Sequence, residues 1–310
     1  MTVLEAIKRS AGFLEKKGVD SPRLQVELLL GHLLKVPRMN LYLNFERALT
    51  PAELDALREL VRRRGLREPL QHITGSTSFC GLELIVNGSV LVPRPETEQL
   101  AELGWEFLKA GASESAKISV ASDAAVMALN EASPEWPRRI RTALDFGTGS
   151  GCLAIALAVK VPGAQVVAVD VSEDALKTAR ENAARHHVEM RIQFLAGDGF
   201  AAVPSGVRFD VIVANPPYIP TGEIATLEPE VRDHDPKLAL NGGADGLRYY
   251  ERLAREAGPF LQSGGRIMVE FGDGQAAEIR KMFEQQKWIV EQVKPDYSGR
   301  LRFLKARLAE

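Results

Sequence analysis

Between Leu4 and Leu66 apolar residues recur every three or four positions: Leu4, Ile7, Ala11 and Leu14, then Leu28, Leu29 and Leu33, then Leu54, Leu57, Leu60 and Val61. That period belongs to helices that bury one face. Ser21-Pro22 and Thr50-Pro51-Ala52-Glu53 each set an N-cap residue before a proline at the first helical position. Residues 1–70 therefore read as a small helical bundle. From Ile73 to Val92 the period shortens to alternation, with Phe79, Leu82, Leu84 and Val86 among Gly75, Gly81 and Asn87-Gly88, which predicts a β-hairpin. A helix is expected over 96–109. An Ala-, Ser- and Glu-rich stretch follows over 111–140, read as a linker or a marginal helix around 123–129.

After Arg141 short apolar runs alternate with helical patterns: ALDF, a helix over 152–160, VVAVD, a helix over 173–187, IQFLA, DVIVAN, a helix over 246–261, and RIMVEF. Near-continuous Val/Ile strands alternating with helices predict an α/β unit whose parallel sheet is covered on both faces. The expected organisation is a helical domain over 1–70, a hairpin, helix and linker over 71–140, and an α/β domain over 141–310.

Composition narrows the class. The chain has 310 residues, 45% hydrophobic and 26% charged, with a formal net charge of -2, values of a globular protein rather than a disordered or collagenous one. No apolar run approaches a membrane span, and the N-terminus is amphipathic rather than a signal sequence, so a cytoplasmic protein is expected. Cys80 and Cys152 stand apart, without C-x-x-C or paired histidines, which argues against a disulfide framework and against zinc. Residues 1–70 hold 13 Lys+Arg against 9 Asp+Glu, a net of +4, and the remainder is therefore -6. A mildly basic front suits either an acidic partner or a plain solvated helix surface.

The chemistry gathers at strand ends. In Asp145-Phe146-Gly147-Thr148-Gly149-Ser150-Gly151 the first strand turns into a helix, and the glycines let the backbone approach a ligand. The spacing is not that of a dinucleotide site, because the third glycine of G-x-G-x-x-G would fall on Cys152, and no phosphate-binding G-x-x-x-x-G-K-[ST] occurs. Asp170 ends the second strand, where a carboxylate accepts from ribose hydroxyls, and Asp198 follows the third, placed for an adenine amine. The fourth strand runs into Asn215-Pro216-Pro217-Tyr218. Its prolines supply carbonyls without N–H groups, Asn215 adds a side-chain acceptor and Tyr218 a ring, a set suited to a planar group bearing NH2.

These motifs resemble the class I S-adenosylmethionine-dependent methyltransferases that alkylate amide or exocyclic amine nitrogens. Gln71-His72-Ile73-Thr74-Gly75, Val92-Pro93-Arg94-Pro95-Glu96-Thr97-Glu98, Asp245-Gly246-Leu247 and Asp296-Tyr297-Ser298-Gly299-Arg300 narrow the resemblance to the PrmC/HemK family of release factor N5-glutamine methyltransferases. The resemblance implies a Rossmann-like doubly wound sheet, S-adenosylmethionine as cofactor held by 147–151, Asp170, Asp198, Gly199, Phe200 and Asn215, and catalysis at Asn215, Pro216, Pro217 and Tyr218. It implies as substrate the Gly-Gly-Gln loop of class I peptide chain release factors, a monomer, and no nucleic-acid or membrane partner. Gly199 stands where the family often has an aromatic, so adenine stacking falls to Phe200. Glu96 and Glu98 either cap the following helix or border the active site, and Arg94 either binds a carboxylate or pairs with a neighbour. A ribosomal-protein glutamine methyltransferase, an adenine-N6 nucleic-acid methyltransferase and a non-catalytic adaptor are the competing readings.

Overall fold

A computed structural model describes residues 1–121 and 140–309; the helix expected over 123–129 lies outside the described residues. The first five helices are α1 (Val3–Lys16), α2 (Pro22–Leu34), α3 (Arg38–Leu43), α4 (Pro51–Gly65) and α5 (Leu70–Thr74). They close on a core that includes Ile7, Leu14, Leu29, Leu30, Leu57 and Ile73. Thr50 caps α4 as expected, and Glu53 returns the bond to complete a capping box. Ser21 does not act as expected: it sits at φ 47°, and its side chain makes no capping bond. A left-handed backbone there turns the hydroxyl from the N-cap geometry, so α2 starts on Pro22 alone.

The hairpin is present as β1 (Ser76–Phe79) and β2 (Leu82–Ile85). Cys80 and Gly81, both at positive φ, form the two-residue turn that suits the twist of the flanking strands. The next helix, α6 (Pro95–Ala121), runs past the expected end at Lys109. Its extension is Ala-rich and free of proline, so nothing in it stops a helix.

Seven further strands form one sheet: β3 (Arg141–Phe146), β4 (Ala164–Asp170), β5 (Ile192–Ala196), β6 (Phe209–Ala214), β7 (Leu261–Glu270), β8 (Trp288–Pro295) and β9 (Leu301–Leu308). Among them run α7 (Cys152–Lys160), α8 (Glu173–Arg185), the short α9 (Pro229–His234) and α10 (Lys237–Leu240), α11 (Arg248–Glu256) and α12 (Ala276–Gln285). The strand order is β5-β4-β3-β6-β7-β9-β8. The first five in this order are parallel, as expected. To them the structure adds β8 and β9, with β9 antiparallel to both of its neighbours. The order reverses between β3 and β6, and open α/β sheets bind ligands outside the strand ends at such a switch.

Two apolar layers cover this sheet. One joins Phe79, Leu84, Leu100 and Leu108, from the hairpin and α6, to Ile155, Leu157 and Val213. The other packs Tyr250, Leu253, Phe271 and Phe283 over Ile212 and Leu304. No described helix is long and apolar enough to cross a membrane.

Candidate active site

The loops after β3, β4, β5 and β6 open on one crevice, lined among others by Gly147, Gly149, Asp170, Asp198, Gly199, Asn215, Pro216 and Pro217. It encloses about 860 Å³ of empty space, counting the part open to solvent. The loop after β3 is tied down from below. Gly147 N and Thr148 N donate to Val169 O, and Thr148 Oγ1 donates to Asp145 Oδ2 at 2.7 Å. That carboxylate also accepts from Ala154 N, inside α7, so Asp145 braces the turn against the helix it opens. Burial pushes Asp145 up to about 7, against those two bonds. Gly149, at φ 54°, has nothing within 4 Å of where a Cβ would stand, whereas a Cβ on Gly151 would meet Ala179 at 3.1 Å. The first glycine faces open space and the second lets α8 approach. Thr148 and Ser150 are buried beneath the loop and do not line the crevice.

Asp170 Oδ2 accepts from Gly149 N at 2.8 Å and Oδ1 from Ser172 N at 2.9 Å. Each oxygen keeps a lone pair, so two acceptors remain for a ligand diol. Burial raises its pKa, and the backbone N–H groups work the other way. Asp198 lines the crevice with its carboxylate ion-paired to Arg252.

Phe200 corrects the expectation for adenine. It is 4% exposed, stacked on Phe260 at 4.9 Å and tilted against Phe146, and it does not line the crevice. The 3-10 turn after Asp198 swings this ring into the core. Tyr218 likewise does not line the crevice. Its ring packs against Gly272, and burial, then the nearby Glu270, raises its pKa.

At Asn215-Pro216 the chain leaves β6 with two acceptors unused. Among the described residues neither Asn215 Oδ1 nor the Pro216 carbonyl accepts a hydrogen bond, while Asn215 Nδ2 donates to Thr97 Oγ1 at 3.0 Å. The loop is held from both sides, with Ile219 N donating to Leu240 O and Gln275 Nε2 to Tyr218 O at 3.0 Å. A Cβ on Gly242 would stand 2.8 Å from Pro217 O.

At the start of α6, contacts decide for Glu98 and for Arg94. Glu98 accepts from Cys80 N at 2.7 Å and so pins the hairpin. Arg94 pairs with Asp235 at 3.0 Å. Asp235 is buried and pushed up to about 6 by that burial, with Arg94 opposing. Sequence reasoning missed Val90, Leu91, Pro236, Leu238 and Tyr249, which also line the crevice; the first three come from connections without periodicity, Leu238 from the one-turn α10 and Tyr249 from the start of α11. It missed Thr97 too, whose signal was its place inside the Pro93–Glu98 motif between the two glutamates that drew attention. A second cavity, about 850 Å³ by the same count, lies between the helical domain and the sheet domain, lined by Leu24, Gln25, Arg64, Val92, Arg94 and Asp235. The chain stretches 89–94 and 235–239 serve both cavities.

Residues 5–75 match the PrmC N-terminal domain and residues 110–228 the methyltransferase small domain. A release factor glutamine methyltransferase of Geobacter sulfurreducens is 41% identical over 284 residues, 92% of this chain and 89% of that protein. That of Chlorobaculum tepidum is 43% identical over 284 residues, 91% and 89%. The chain belongs to the release factor glutamine methyltransferase family. That of Streptomyces coelicolor aligns over 99% of this chain and 98% of its own length, at 39% identity. Among solved structures, the catalytic domain of hMettl16 in complex with the MAT2A 3'UTR hairpin 6 superposes with a TM-score of 0.51 at 14% identity, covering 81% of this chain and 83% of that one. It shares the fold. In this chain the Rossmann-like class I methyltransferase domain and the helical N-terminal domain occur together.

Proposed function

We propose that the crevice binds S-adenosylmethionine and that the protein transfers its methyl group to the side-chain amide nitrogen of the glutamine in the Gly-Gly-Gln loop of class I peptide chain release factors. Family membership supports the protein glutamine methyltransferase activity. The observation that carries the site assignment is the pair of unused acceptors, Asn215 Oδ1 and the Pro216 carbonyl, on two residues that line the same crevice as the glycine loop.

The cofactor fits the residues present. Asp170 keeps two acceptors for the ribose, the open side of Gly149 receives the amino-acid part, and Asp198 stands at the adenine end. When bound, S-adenosylmethionine supplies a methyl group on a sulfonium, whose C–S electron pair stays with sulfur. The protein has to prepare the nucleophile, because an amide lone pair is delocalised into its carbonyl. Asn215 Oδ1 and the Pro216 carbonyl take the two N–H bonds and hold the nitrogen in line with the methyl. Positioning of this kind contributes several kcal/mol, and preorganised dipoles add to it. The surplus N–H proton leaves to water once the N–C bond has formed.

A glutamine between glycines suits a narrow site, since the absence of Cβ lets the loop backbone come close. The cavity between the domains offers a second contact area for the rest of the substrate, and the net +4 of residues 1–70 steers an acidic partner in a salt-dependent way. Mass spectrometry of a full-length release factor after incubation with enzyme and cofactor tests the reading. A mass gain of one methyl on the loop glutamine is expected; methyl found only on nucleic acid would overturn it.

A further inference from the structure

An asparagine can offer its neighbours either end of its amide, and only one end serves the clamp. With Nδ2 toward the crevice it would oppose donors to the donors of the acceptor amide. The end that faces Thr97 is therefore decisive. Asn215 Nδ2 donates to Thr97 Oγ1 at 3.0 Å, and Thr97, in the first turn of α6, is 2% exposed. A threonine hydroxyl can donate as well as accept, so Thr97 alone does not select that end.

Glu270 supplies the selection. It ends β7, is 2% exposed, and its Oε2 accepts no hydrogen bond among the described residues. Ala214 lies opposite Val269 where β6 and β7 pair, so the next residue of each strand brings Asn215 and Glu270 to the same level of the sheet edge. The Thr97 hydroxyl is the first group to counter the cost of burying the Glu270 charge. A carboxylate that takes the hydroxyl proton leaves Thr97 only lone pairs to offer Asn215.

We infer that Thr97 and Glu270 are positioning residues for methyl transfer, a buried hydroxyl–carboxylate pair that holds the Asn215 amide with its oxygen toward the crevice. The inference rests on the clamp reading above. Chained bonds also polarise one another, which strengthens Asn215 Oδ1 as an acceptor. Protonating Glu270 reverses the chain: its hydroxyl donates to Thr97, and the Thr97 proton is freed to draw the amide oxygen away from the crevice. The charged and titratable groups facing Glu270 are Arg94 and Glu96 at the start of α6, Arg302 on β9, Tyr218 after β6 and Tyr250 on α11. Burial outweighs them and pushes Glu270 up to about 7.

The test is steady-state methylation of a full-length release factor, on both sides of neutral pH, by wild type, Thr97→Val, Thr97→Ser, Glu270→Gln and Asn215→Ala, with cofactor affinity measured in parallel. Wild-type kcat should rise with pH through about 7. Thr97→Val should lower kcat about tenfold, the loss of one buried charge-assisted bond, with KM and cofactor affinity little changed. Thr97→Ser should restore both rate and pH limb, and Glu270→Gln should flatten the limb. Wild-type kcat in Thr97→Val overturns the inference. So does a limb that persists in Glu270→Gln, which would assign it to Asp145, also raised to about 7. Should Thr97→Val fail to bind cofactor, the Glu270→Gln profile decides alone. Asn215→Ala separates the two claims: impaired beside an unimpaired Thr97→Val, it leaves the clamp standing and removes its support, whereas wild-type turnover removes the clamp itself.

Discussion

In the proposed reading Asn215 and Asp170 divide the work of the site, so their substitutions should fail differently. Asn215→Ala removes a contact to the acceptor amide, and methylation should fall on the order of 10²–10³-fold with cofactor affinity nearly unchanged. Asp170→Ala removes two acceptors already oriented by Gly149 and Ser172. Calorimetry should show cofactor binding weaker by about 1.5–3 kcal/mol. Glu270 carries a cost as well as a role. Holding that carboxyl at about 7 rather than its usual 4.5 removes about 3 kcal/mol of stability once it is ionised. Because the folded pKa lies above the unfolded one, the native state binds the extra proton between those values, and stability falls as pH rises through that window. Glu270→Gln should therefore raise the melting temperature at alkaline pH and leave it unchanged in acid, a gain read by calorimetry in a variant that turns over less well.

The contacts between elements explain what was readable beforehand. The five parallel strands announced themselves because both faces are covered, so Ala143, Val166 and Ile212 all had to be apolar. The β8 strand reads WIVEQVKP and leaves several side chains exposed at the sheet edge, so its composition hardly differs from a loop. The turn at Asn215-Pro216 was legible because two prolines after a strand admit few conformations. Phe200 was not, since one turn of 3-10 helix decides which way an aromatic points. Long-range ion pairs were equally invisible. Arg64 and Arg67 on α4 and in the turn after it meet Glu230 on α9 at 2.7 and 2.6 Å, joining the helical domain to the loop region of the sheet. Burial raises the Glu230 pKa, but Arg67 and Arg64 more than offset it and hold the carboxyl low. The bond is present above the ordinary carboxylate pKa and is lost as pH falls through the lowered one. Arg64 is 4% exposed, so Glu230→Ala leaves a buried cation without its partner. Thermal unfolding should show a loss of about 1.5–3 kcal/mol, smaller in acid than at neutral pH.

Taken whole, the molecule divides earlier than the pattern after Arg141 suggested. Leu100 and Leu108 of α6 and Phe79 and Leu84 of the hairpin share an apolar cluster with Ile155 and Val213, so the sheet domain is incomplete without them. A fragment of residues 76–310 should fold and bind cofactor, whereas 141–310 should expose that cluster and bind the dye ANS. The longer fragment should still lose most turnover on an intact release factor, because the cavity between the domains loses Leu24, Gln25 and Arg64. Strand order has a bearing on biosynthesis. β9 is made after β8 yet lies between β8 and β7, so β8 leaves the ribosome with no neighbour to pair and β7 with one flank open. Both edges stay available to other chains until β9 emerges and slots between them, which makes this the interval of greatest exposure to aggregation for the nascent protein.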